Sequence, residues 1–327
     1  MRLLTLAAIA LCLAANLVFA QEGSFDRCGL AIRVDEPPII DGYLDDPQWQ
    51  EGDRLTAFTL LSAPATLPQA QTVGRVLYDE NRIYVAVECL DPNMALLVYQ
   101  KRPRDDSIWE DDSIEVHFDP HHEKANYFQV IVNPISSFYD AIELDQTWNA
   151  DLKVKAQRLE DRWTVEFSLA LASLDAPMPR EGSSWGFDLF RRQKSTGVTL
   201  KSAWSNTGID SFDVPTRYGT LVFGSYRPAA AGLAAVVLRN LRTVEQELSS
   251  VAQVEGAQEL QQRLAALGAR AQQILDAFAA DPPPSREEMK AHYRAALVLL
   301  DEAEVLGWDV KFLALLNAPE EQPQEEQ

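Results

Sequence analysis

Between about Phe25 and Tyr226 the chain keeps one habit: short runs in which every second residue is apolar, each ended by turn residues. The runs read QTVGRVLYDENRIYVAVECLDP, DSIEVHFDP, NYFQVIVNP, DLKVKAQRLEDRWTVEFSL, SWGFDLFRRQ and RYGTLVFGSY. The breaks are Asp79-Glu80-Asn81, Asp91-Pro92-Asn93, Asp119-Pro120, Asn133-Pro134 and Glu160-Asp161. Asp and Asn side chains bond their own backbone there, and Pro presets a turn angle. A strand points successive side chains to opposite faces, so this period describes strands with one buried face. With no long helix between them, such strands predict an antiparallel β-sandwich, immunoglobulin- or jelly-roll-like. The same alternation assigns Trp163, with Val165 and Phe167, to the core, and likewise Trp185, with Phe187 and Leu189; Trp49 is a further core candidate.

After Tyr226 the period becomes 3.6. Leu233, Val237, Leu241, Val244 and Leu248 form one helical stripe, and Leu260, Leu264, Leu267, Ala271, Ile274 and Phe278 a second. Asp281-Pro282-Pro283-Pro284 stops that segment, and Ser285 with Glu288 has the spacing of a capping box that opens a third. The expectation is an all-α bundle of three helices over 227–317, each of roughly 20–25 residues. The last ten residues, APEEQPQEEQ (318–327), have almost nothing to bury and read as a disordered acidic tail.

The 327 residues are 46% hydrophobic, enough for a substantial core, and the formal net charge is −20. That charge repels nucleic acid and anionic lipid and leaves neutral ligands open. The N-terminus, with Arg2, an apolar run and Val18-Phe19-Ala20, has the pattern of a cleaved signal peptide over 1–20. This predicts an exported protein, periplasmic or extracellular, with no membrane span after cleavage. The sandwich then occupies 21–226. Export also makes a disulfide between Cys28 and Cys89 an expectation, set against a buried free thiol at Cys89.

The stretch SIWEDDSIEVHFDP (107–120) is unusual. Ile114, Val116 and Phe118 share one strand face, while Ser113, Glu115 and His117 share the other, with Trp109 just upstream. A carboxylate face beside an indole is either a solvated sheet surface or the floor of a polar-ligand site. From alternation alone, Tyr127, Gln129 and Arg191 are polar candidates on neighbouring strands.

Taken in order, PPIIDGYLDDPQWQEG, VLYDENRIYVAVECLDP, WEDDSIEVHFDP, YFQVIVNP, DRWTVEFSLALASL, SWGFDLFRR, SAWS and RYGTLVF make the chain resemble the family 9 carbohydrate-binding modules, relatives of the DOMON-like sandwiches, over about residues 36–224. The resemblance implies an aromatic clamp on a neutral polysaccharide or oligosaccharide. Trp109 and Trp204 would be its rings, Glu115 would accept hydroxyl hydrogen bonds, and Lys201 stands where an amide is expected. Indole covers the C–H face of a pyranose, and a carboxylate takes its hydroxyl protons. The resemblance also implies a module without catalysis of its own, accessory to a glycoside hydrolase if attached to one. No Gly-x-Ser-x-Gly elbow, phosphate loop or dinucleotide fingerprint occurs.

Three other expectations accompany this one. Asp41, Asp45 and Asp46, and Asp111 and Asp112 beside Glu110, are carboxylate clusters suited to structural calcium, with turn and cap roles as the alternative. The DOMON-like kinship allows a b-type haem held by Met94, His117, Met178 or Lys201. The helices, finally, are a surface for a protein partner or for self-association.

Overall fold

The computed structural model describes residues 27–317 apart from 65 and 281. The expected leader (1–20) and acidic tail (318–327) lie outside the described residues. The chain divides into two compact units between Ser225 and Tyr226.

The first unit is β. Its strands are β1 (Cys28–Arg33), β2 (Thr59–Leu60), β3 (Thr72–Tyr78), β4 (Arg82–Leu90), β5 (Ser113–Asp119), β6 (Phe128–Val132), β7 (Phe138–Ile142), β8 (Leu152–Arg158), β9 (Arg162–Ala170), β10 (Ser184–Gln193), β11 (Leu200–Ala203) and β12 (Gly219–Gly224). They form one strongly bent sheet in the order β7-β6-β5-β10-β12-β1-β3-β4-β9-β8, with β11 and β2 branching from β10. The two ends of this path pack face to face as a sandwich does. The inward residues meet in one core, including Val85, Val116, Val130, Trp163, Phe167, Trp185, Phe187 and Phe223. A short helix, α1 (Pro47–Glu51), brings Trp49 to a fully buried position. There its indole N–H donates to Glu166 Oε1 at 2.7 Å.

Pairing is antiparallel throughout except at β1, which runs parallel to both β12 and β3. Parallel neighbours need long connections, and a local alternation pattern contains no trace of them.

The disulfide expectation is corrected. Cys28 and Cys89 are free thiols. They lie on β1 and β4, and β3 runs between those strands. Two inter-strand steps amount to about 9.5 Å, beyond the roughly 7 Å limit between bridged Cα atoms. Burial pushes the Cys89 thiol up to about 12, so it is an inert core group.

The second unit is three long helices: α2 (Tyr226–Ser249), α3 (Ala257–Ala279) and α4 (Arg286–Leu316). Each packs against the other two. The first sequence stripe, from Leu233 to Leu248, is buried throughout. The capping box at the start of α4 is formed: Glu288 N–H donates to Ser285 Oγ at 3.3 Å, and Ser285 N–H to Glu288 Oε2 at 2.7 Å. With 31 residues, α4 is longer than the pattern predicts.

Candidate functional site

Register decides which side chains share the outer face of the sheet. In antiparallel pairs, directly opposed residues point the same way. Glu115 on β5 faces Phe190 on β10 and Ile131 on β6; Ile131 faces Tyr139 on β7; Phe190 faces Ala203 on β11. One row therefore runs Tyr139–Ile131–Glu115–Phe190–Ala203. The next positions add His117, Gln129 and Asp188 on one side, and Ser113, Arg192 and Lys201 on the other.

This face is not solvated. Glu115 is 1% exposed. Its Oε1 accepts from His117 Nε2 at 2.8 Å and from Gln129 Nε2, and its Oε2 is paired with Arg192. Burial alone pushes the Glu115 carboxyl up; the Arg192 guanidinium and His117 outweigh it and hold the group at about 2. His117 Nδ1 is bonded to the Tyr218 hydroxyl, which donates onward to the Phe212 carbonyl at 3.1 Å. Tyr127 stacks on His117, ring centroids 4.5 Å apart, and donates to Asp213 Oδ1 at 2.8 Å.

The cover comes from the segment between β11 and β12. Ser205 N–H donates to Asp188 Oδ1 at 2.9 Å, and Phe212 stacks flat on Phe190 at 4.3 Å, with the Arg192 guanidinium 4.4 Å over its ring. Burial raises the Asp188 carboxyl well above its ordinary value. Asp188 Oδ2, Ser113 Oγ and Gln129 Oε1 are buried without a hydrogen-bond partner among the described residues.

Trp109 stands at the other end of the row. It lies in a single 3-10 turn, Ile108–Glu110, whose Ile108 is buried in a small cluster with Ile131, Tyr139 and Ala141. The indole is 39% exposed and rests edge-on against Tyr139 at 5.5 Å. Glu110 beside it pairs with Arg102 at 3.2 Å, and Lys194 Nζ donates to the Glu110 carbonyl at 2.7 Å.

The structure thus gathers Glu115, Gln129, Tyr127 and His117, and separates other expected members. Trp204 is corrected: it is 3% exposed and belongs to the main core, 5.9 Å from Phe187. Glycines on β1 and β12 make its slot. A Cβ on Gly219 would come within 2.6 Å of the indole, and one on Gly29 within 3.2 Å. A second ring of a clamp needs an open face, and this ring has none.

Arg191 is corrected as well. It continues the parity of Phe187 and Leu189 and points inward, bonding Asp91 Oδ2 at 2.9 Å and the Leu90 carbonyl at 2.8 Å. The arginine on the Glu115 face is Arg192, which the sequence reading passed over. Lys201 does lie on the outer face and pairs with Asp210 at 3.1 Å.

The calcium clusters are also reassigned. Asp111 accepts from Arg102 at 3.2 Å, Gln100 N–H at 3.1 Å and Asn133 Nδ2 at 2.8 Å. Asp112 accepts from the Val98 and Lys194 N–H groups, both at 2.7 Å. Asp41 accepts from Tyr43 N–H and Asp46 from Ile39 N–H, both at 2.9 Å. These oxygens hold loops together through N–H donors, which is the turn-and-cap role; Asp45 sits in the same turn.

Glu115, His117 and Asp213 offer ligand atoms within 4.8 Å of one another. As folded, Glu115 is satisfied by three donors including a guanidinium, which suits an ion-pair network rather than a cation seat. The haem ligands are dispersed. Met94 packs against the main core, and Met178 lines a cavity with Arg33 and Tyr78; only Lys201 shares the outer face with His117.

A family model described as carbohydrate family 9 binding domain-like matches residues 40–225. The chain is 25% identical over 193 residues to endo-1,4-beta-xylanase A of Thermotoga maritima, a match covering 56% of this chain and 17% of the xylanase. It therefore spans a small part of that relative's length. It is also similar to solved structures of a family 9 carbohydrate binding module from Caldicellulosiruptor kristjanssonii. The cellotriose complex has a TM-score of 0.48 at 17% identity, covering 61% of this chain and 94% of that one. The glucose complex has a TM-score of 0.45 at 17% identity, covering 60% and 95%. With that model spanning most of the β unit, the chain belongs to the carbohydrate family 9 binding domain-like family.

Proposed function

We propose that the β unit binds a neutral polysaccharide or oligosaccharide at the Trp109 end of the outer face. The observation that carries this reading is Trp109 itself: a large aromatic left 39% exposed, resting edge-on against Tyr139 in a turn anchored by buried Ile108. An indole so placed offers a ready platform for the C–H face of a sugar ring. Family membership supports the ligand class.

The polar role differs from the sequence expectation. Glu115 is too deeply buried to meet hydroxyls directly. It orients Arg192, whose guanidinium keeps some exposure and supplies donors toward the ligand. Arg192 is the register partner of Ser113 on β5, the strand that the Trp109 turn leads into. One ring plus an arginine replaces the two-ring clamp.

The network suits binding rather than turnover. A carboxylate held at about 2 is no proton donor at neutral pH, and its oxygens are engaged. We place the activity outside the cytoplasm on the N-terminal pattern alone; a mature N-terminus at Gln21 checks it.

The test is affinity electrophoresis and calorimetry of the full chain against β-glucan, xylan and their oligosaccharides. Binding that weakens roughly tenfold in Trp109→Ala, with little dependence on salt, is the expected result. Equal binding by wild type and Trp109→Ala removes the platform, and a folded wild type that binds none of these sugars removes the reading.

A further inference from the structure

The longest helix, α4, carries two apolar stripes. Tyr293, Ala296, Leu299, Ala303, Leu306 and Val310 are buried in the helical unit. Val298, Val305, Trp308, Phe312 and Leu315 are exposed, Trp308 to 62% and Phe312 to 63%. At 3.6 residues per turn the second stripe is about 100° wide and lies roughly 180° from the first. An apolar patch of this kind on a folded surface marks a contact.

Its spacing says what kind. Val298, Val305 and Phe312 recur every seventh residue, and Trp308 and Leu315 repeat seven apart, three positions behind Val305 and Phe312. This is the spacing of a seam between paired helices. Asp301 holds the one polar seam position between Val298 and Leu315.

The rims choose the partner. On one side, Glu302 and Asp309 are already neutralised by Arg270 and Arg263 of α3. On the other lie Glu304 and Lys311, with Lys311 Nζ 5.2 Å over the Trp308 ring. A second α4 running antiparallel, with Val305 opposite the partner's Trp308, sets Val298 opposite the partner's Leu315. The same register puts Glu304 beside the partner's Lys311, and two-fold symmetry makes that ion pair twice. A parallel alignment instead sets Asp301 against its own copy and Glu304 beside the partner's Asp309. For a chain of net charge −20, the alignment that pairs opposite charges is favoured.

We infer that the chain forms a two-fold dimer through an antiparallel contact of its α4 helices. Such a contact is isologous and closes on itself. It owes nothing to the sugar reading, since every residue in it belongs to the helical unit.

Sedimentation equilibrium of the full chain across the micromolar range tests it, with circular dichroism checking that each variant keeps its helix content. Wild type is expected at twice the mass of one chain, and Trp308→Glu with Phe312→Glu at the mass of one. Lys311→Glu is expected to weaken association roughly tenfold at low salt, with Glu304→Lys added to it restoring the affinity. A wild type that stays at one-chain mass overturns the proposal, as does a folded Trp308→Glu/Phe312→Glu variant that still dimerises. Failure of the charge swap to restore association overturns the antiparallel register. Flotation of a one-chain wild type with phosphatidylcholine vesicles assigns the stripe to a lipid surface instead.

Discussion

The outer face of β5 and the outward stripe of α4 are opposites. The first is polar and buried: Glu115, His117, Gln129 and Asp188 all lie beneath the molecule's own loops. The second is apolar and exposed, from Val298 to Leu315. Hydrophobic residues inside and polar ones outside is the ordinary arrangement, and departures from it carry the information. A buried polar face depends on the partners its own chain supplies: Glu115 has three, while Asp188 Oδ2, Ser113 Oγ and Gln129 Oε1 have none among the described residues. The exposed apolar stripe is touched by its own chain at its margin, where Lys311 lies over Trp308, and its outward surface is open to another molecule. The β face is thus an interior that leaves Trp109 exposed at one margin, whereas the helical stripe is exposed along its whole length.

This contrast can be broken first at its most expensive point. Glu115→Ala leaves Arg192 and His117 facing an empty position in a buried network and is expected to cost about 3–5 kcal/mol. Urea unfolding followed by near-ultraviolet circular dichroism of the β unit measures it, and a loss under about 1 kcal/mol returns Glu115 to a solvated surface. Trp204→Ala is expected to cost a similar roughly 3–5 kcal/mol through the cavity it opens. A variant as stable as wild type would put that ring outside the core.

Acid probes the same network without mutation. Because the folded Glu115 carboxyl is held at about 2, below its ordinary range, it contributes stability above about pH 4.5. That contribution disappears as pH falls from there toward 2, and amounts to at most about 3 kcal/mol. Glu115→Gln is expected to flatten the stability–pH curve across this window, and an unchanged slope assigns acid sensitivity elsewhere.

Smaller effects sharpen the contrast. Ser285→Ala removes the formed cap of α4 and is expected to cost about 1 kcal/mol of helical-unit stability, read by thermal melting. Trp308→Ser, measured where chains are single, is expected to change stability by less than about 0.5 kcal/mol. A large loss there would mean that the stripe is part of its own unit's core.

Much of this architecture is legible from periodicity. Trp163 and Trp185 sit where alternation puts them, and Leu233 to Leu248 line the helical core. Alternation also contained the phase that corrects Arg191: it shares parity with Trp185, Phe187 and Leu189, and Arg192 shares it with Phe190. Trp204 was harder, because its slot is carved by glycines 175 residues upstream and 15 downstream in sequence, Gly29 and Gly219. Nothing local to SAWS reports them. The burial of Glu115 was illegible for the same reason, since the cover, Phe212 and Tyr218, arrives from a distant segment. The seam on α4 was readable in principle; the stripe that anchors the helix masks it until the packing shows which stripe is spare.

The place of β1 has a consequence in time. It lies parallel between β3 and β12, so one edge of the first strand stays open until the last strand of the unit exists. About 190 residues separate Cys28 from Gly219, and at 5–20 residues per second a ribosome needs roughly 10–40 s to cover them. Throughout that interval the nascent β unit is an incomplete sheet, open to a protease or to a transport machine that handles unfolded chains. Stalled chains ending before Gly219 should therefore be digested readily, and chains carried past Gly224 and clear of the ribosome should resist.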